Sequence, residues 1–144
     1  MKNILLTFSF LLFTGFLAFG QESDQQVVKC LAGSGSDAKY LKDFRVQLGK
    51  TDQAGEFRFK ANISLWKDMK YRFTMCSLEE SKGVLVLNMQ DDAKNLVLTS
   101  FDQKTGKTYS SVDFTCKKSG IYQLSYDFAN DKQGSGVGVV SVIK

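Results

Sequence analysis

Catalysis and metal binding need nucleophilic, titratable or ligating side chains at a working spacing, and few stand in this sequence. Its 144 residues include no histidine. That removes the commonest general base and the commonest metal ligand. The three cysteines, Cys30, Cys76 and Cys116, are 46 and 40 residues apart. Those gaps fit no zinc-ligand pattern. Three cysteines allow at most one internal disulfide and leave one thiol over. A serine or cysteine nucleophile would need Lys, Asp or Glu as its base, and no pair of that kind is recognisable. The expectation is a protein that is not an enzyme and carries no cofactor and no resident metal.

Three other groupings could bind something. Asp91, Asp92, Asn95 and Asp102 offer oxygens that calcium would accept, but their spacing is not that of a calcium loop. Turn formation, with Asp and Asn closing on their own backbone, is the preferred reading. Gly134-Ser135-Gly136-Val137-Gly138 has the glycines of a phosphate-cradling loop but no helix after it, so it reads as a strand. Trp66 falls on the polar side of a strand alternation. It is either an exposed aromatic on which a sugar ring could stack or a plug folded over the end of the domain. The burial preference of large aromatics favours the plug.

The elements that must position these residues are strands. Residues 1–20 come first and read as a signal peptide: Lys2, then 17 uncharged residues, Ile4 to Gly20, ending Ala18-Phe19-Gly20. Cleavage after Gly20 is expected, giving a secreted or periplasmic protein with no stable membrane span in the mature chain. Residues 21–39 are polar and small and read as a flexible arm, with a short helical turn at 36–41. From residue 40 to 144 the period is two. Phe57, Phe59, Ala61, Ile63 and Leu65 alternate with Arg58, Lys60, Asn62 and Ser64, and Tyr122, Leu124, Tyr126 and Phe128 alternate with Gln123, Ser125 and Asp127. Eight such segments, with a turn signal between each pair, predict an all-β fold, an eight-stranded antiparallel β-sandwich. Phe44, Phe57, Phe59, Phe73, Phe114, Tyr122 and Leu124 are its expected core.

Charge narrows the partners. The chain carries a net +4, or +3 once Lys2 has left, with both signs interspersed. The longest basic run is Lys117-Lys118, and nucleic-acid binding wants a denser cluster. The expected partner is another envelope or extracellular protein, with a glycan as the alternative.

Three segments carry a family resemblance: Leu65-Trp66-Lys67-Asp68-Met69-Lys70-Tyr71, Asp102-Gln103-Lys104-Thr105-Gly106 after the strand that ends at Asp91, and Phe114 followed by Gly120-Ile121-Tyr122-Gln123-Leu124. In this order they resemble the jelly-roll sandwiches of GOLD-like and bacterial pre-peptidase C-terminal-like domains. Ser125 and Tyr126 stand where GOLD domains often carry a cysteine. The resemblance covers residues 40–144 and implies a non-catalytic interaction module. The jelly-roll order it implies puts strands one, eight, three and six in one sheet. In that order Cys116 lies at the end where strand one begins, which favours a Cys30–Cys116 disulfide with Cys76 free. Strand eight then lies between strands one and three. With Val137 and Val139 pointing inward, Gly136 and Gly138 would floor an outer groove walled by Arg45, Lys70 and Arg72, with Tyr109 at its edge, suited to an acidic partner.

Overall fold

The computed structural model describes residues 21–50 and 57–144. The expected signal peptide at 1–20 lies outside these residues, as does most of the loop after the first strand. One helix, α1 (Gln21–Ala32), precedes eight strands: β1 (Ala38–Leu48), β2 (Phe59–Leu65), β3 (Lys70–Ser77), β4 (Val84–Gln90), β5 (Leu96–Thr99), β6 (Ser111–Thr115), β7 (Gly120–Ala129) and β8 (Gly134–Ile143). They form two four-stranded antiparallel sheets, a first sheet in the order β1-β8-β3-β6 and a second in the order β2-β7-β4-β5. The chain is an all-β sandwich, and strands one, eight, three and six do share a sheet.

The core lies between the sheets. Phe44, Val46, Tyr71, Phe73 and Met75 of the first sheet meet Ile63, Leu65, Leu85, Leu87, Met89, Tyr122, Leu124, Tyr126 and Phe128 of the second. Each set recurs at every second residue, as a half-buried strand requires. Phe59 and Phe114 pack against this cluster. Phe57 is half-buried beside Arg58 and does not join it.

Strand β8 reverses the expected inside and outside. Directly paired residues share a face, and the inward Phe44 and Val46 pair with Gly138 and Gly136. The glycines therefore face the core. A Cβ on Gly138 would collide with the Tyr126 hydroxyl and ring, and one on Gly136 would press on Leu85. A bulky side chain is excluded here because the opposite sheet fills the space. Val137 and Val139 point outward and are nonetheless buried, because α1 lies over them with Val27 and Leu31.

The segment 21–39 is thus not an irregular arm. Residues 21–32 are helical, and 38–41 begin β1 rather than a helical turn. Val27, Cys30 and Leu31, at helical spacing, make one apolar face. Gly35, with φ of 96°, turns the chain back from helix to strand, a backbone conformation that glycine adopts without strain.

This path corrects the disulfide. Cys30 bonds Cys76, with S–S 2.08 Å and Cα–Cα 5.8 Å, and Cys116 is a free, buried thiol. The expected Cys30–Cys116 pairing supposed an extended arm. The helix instead doubles back over the outer face of the first sheet. Cys76, paired with Val137, lies on that face, whereas Cys116 belongs to the core cluster on the inner side.

In denatured, unreduced protein, an alkylating reagent should therefore modify Cys116 alone, and peptide mapping should recover a 30–76 crosslink. Removing the bridge with Cys30→Ser and Cys76→Ser should lower stability by ~2–4 kcal/mol, read from the urea midpoint. Recovery of a 30–116 crosslink would contradict the structure.

Candidate functional site

The groove expected on the first sheet does not form. Its floor would be the outer side of β8, which is valine covered by α1. Arg45, Lys70 and Arg72 do point outward with the valines, because their register partners are Val137, Ile143 and Ser141. Arg72 is fully engaged. Its guanidinium donates to both carboxylate oxygens of Asp113 at 2.7 and 3.0 Å, to Asp37 at 3.1 Å and to the Ser34 carbonyl at 2.7 Å. Arg45 sits 4.0 Å from Asp43. Tyr109 precedes β6 and is exposed, with the Lys107 ammonium 4.9 Å from its ring centre.

The arginine fork ties the helix-to-strand connection down. It links β3 to β6 through Asp113 and to the 34–37 turn, and Ser34 adds a 2.8 Å hydroxyl contact with Thr74. The fork geometry holds the Asp113 carboxyl below its ordinary range, first through the Arg72 hydrogen bonds.

The acidic residues build turns. Asp91 accepts from the amides of Ala93 and Asn95 at 3.0 and 2.9 Å, and Asp102 accepts from the Lys104 amide at 2.9 Å. Those backbone donors, Asn95 and Lys104 foremost, hold both carboxyls low. Among the described residues no group of three or more Cys, Asp or Glu could hold a metal ion. Cys116 lies 3.7 Å from the Tyr122 hydroxyl, which donates to the Lys118 carbonyl. Burial, then the Cys116 contact, pushes the phenol up to about 12. A phenol held in that way is a poor base at neutral pH.

Trp66 is not the plug over the end of the domain that its size favoured. Trp66 is 68% exposed on the β2–β3 turn. The turn is framed by hydrogen bonds: the Trp66 amide donates to the Tyr71 hydroxyl, the Lys67 amide to Ser119, the Asp68 amide to the Cys116 carbonyl, and the Cys116 amide to the Met69 carbonyl. Ile121, 61% exposed, pairs with Ser64, two residues before Trp66. Ile121 also lines a cleft of about 650 Å³ at this end of the sandwich, with Val97, Phe114 and Tyr122 as further apolar walls. The Lys118–Asp92 pair, at 3.3 Å, spans the two loops at its rim.

Sequence reasoning put Trp66 on the polar side of its strand but favoured a buried plug, and it missed Ile121, which reads as an ordinary strand residue beside Gly120. Only the register of β2 on β7 brings the two to one surface. No protein-family model matches the chain, and no curated protein matches it in sequence.

The Arg72 fork has a pH signature. A carboxyl whose folded pKa is depressed stabilises the fold above its unfolded value, near ~3.9, and that contribution is lost as pH falls through the folded pKa. The gap in urea midpoint between wild type and Asp113→Asn should be widest above about pH 5 and close toward about pH 2. A pH-independent gap would show that the pair does not act this way.

Proposed function

We propose that the chain is an exported, non-catalytic β-sandwich module, GOLD-like or pre-peptidase C-terminal-like, that recognises another protein of the envelope or extracellular space. The uncharged segment from Ile4 to Gly20 supports export, and a disulfide such as Cys30–Cys76 persists where conditions are oxidising. No helix of the described residues is long and apolar enough to cross a membrane. Two antiparallel four-stranded sheets in jelly-roll order support the family reading.

The observation that carries recognition is Trp66. A tryptophan left two-thirds in water contributes little to the fold, yet its turn is fixed by side-chain and backbone hydrogen bonds. Pre-organised, exposed aromatics are what protein interfaces use as anchors, because little freedom remains to be lost on binding. Ile121 and the apolar mouth beside it extend the contact, and the mixed charges of Lys67, Lys117, Lys118 and Asp92 form the polar rim that such interfaces have.

The test is photo-crosslinking in the native host. A benzophenone amino acid at position 66 should give a discrete protein adduct, identifiable by mass spectrometry. The same group at position 47, exposed at the far end of the other sheet, should not. No adduct at 66, or equal adducts at both positions, would refute this surface as the partner site.

A further inference from the structure

The outer face of the second sheet carries a pattern that neither the core nor the Trp66 surface uses. The inward residues of β2, β7 and β4 fill the core, so the alternate residues point outward. Register sets these in rows across the strands. Asn62, Gln123 and Gln90 form one row over β2, β7 and β4. Lys60, Ser125, Asn88 and Thr99 form the next, over all four strands.

Asn62, Gln123 and Gln90 therefore lie about 4.8 Å apart on successive strands, and Asn88 stands two residues from Gln90 along β4. Among the described residues, none of Asn62, Asn88, Gln90 and Gln123 makes a side-chain hydrogen bond within the protein. Other polar groups on this sheet are tied internally: Arg58 bonds both oxygens of Asp127, at 2.8 to 3.2 Å, and donates to the Gly49 and Lys132 carbonyls. That clamp closes one end of the face. Beside it Phe57, Phe101 and Val86 line a hollow of about 260 Å³.

We propose that this face binds a neutral oligosaccharide. Each amide offers a donor pair and an acceptor on one flat group, which matches the adjacent hydroxyls of a sugar ring. Lys60 is the one charged residue in the two rows, and the amide row itself carries no charge. The middle of the face also lacks the apolar centre that a protein interface is built around. The half-buried rings of Phe57 and Phe101 supply an apolar surface at one end for a sugar face to rest on. This site uses different residues from the Trp66 surface, which adjoins it on the same face through the Ser64–Ile121 row.

The experiment uses the mature, oxidised chain, residues 21–144. Affinity electrophoresis against soluble neutral glycans (β-glucan, xylan, mannan) with polygalacturonate as the charged control gives the first readout. Side-chain amide shifts in nitrogen-15 spectra, during titration with short oligomers of any retarding glycan, give the second. At least one neutral glycan should retard the protein and shift the side-chain amides of Asn62, Gln90 and Gln123. Asn62→Ala with Gln123→Ala should weaken that binding by at least about tenfold, while Trp66→Ala leaves it unchanged. Should the double variant misfold, Gln90→Ala alone should weaken binding several-fold. Absence of binding to every neutral glycan, binding of polygalacturonate alone, or retention of full affinity in the amide variants would each overturn the proposal. Loss of binding in Trp66→Ala alone would place the site at the other surface and overturn it equally.

Discussion

The structure depends on one strand being buried on both faces. β8 lies between β1 and β3 in the first sheet. Its inner side has no room, because Tyr126 and Leu85 of the opposite sheet reach down to the backbone at Gly138 and Gly136. Its outer side is valine and needs a cover, because exposed valine at the centre of a sheet forgoes the stabilisation of burial. α1 is that cover, and the Cys30–Cys76 bond fixes it in place. The Arg72 fork and the Ser34–Thr74 contact then hold the connection from helix to β1. The N-terminal segment is thereby part of the fold.

The same constraint decides which surfaces remain to act. With α1 over the first sheet, the outer face of the second sheet and the loop end around Trp66 are the broad open surfaces among the described residues. They differ in chemistry. One presents rows of unbonded amides, the other a fixed tryptophan with an isoleucine beside it and an apolar cleft. Polar residues face outward on β2 and β7, where apolar and polar residues alternate, whereas β4 is apolar on both faces and also buries Val86 on its outer side.

That difference also explains what the sequence could say. The strands of the second sheet were legible because Phe59 to Leu65 and Tyr122 to Phe128 alternate, and only one face of each is buried. β8 alternates glycine and valine, and size alone suggests valine inside. The true orientation follows only from its pairing with Phe44 and Val46, which no single-strand pattern contains. α1 was hidden because its apolar face is three residues, Val27, Cys30 and Leu31, in a polar run, and the disulfide misassignment followed from missing it. Trp66 was legible as a residue on the polar side of its strand. The amide rows were not, because they join residues from three strands that are distant in sequence.

The central claim is the double burial of β8, and methyl-to-proton nuclear Overhauser contacts test it most directly. With Val137 and Val139 assigned in the oxidised protein, their methyl groups should show contacts to Val27 and Leu31, while the Tyr126 ring contacts the Gly138 α-protons. Contacts from the Val137 and Val139 methyls to Tyr126 or Leu85, with none to the helix, would contradict the account.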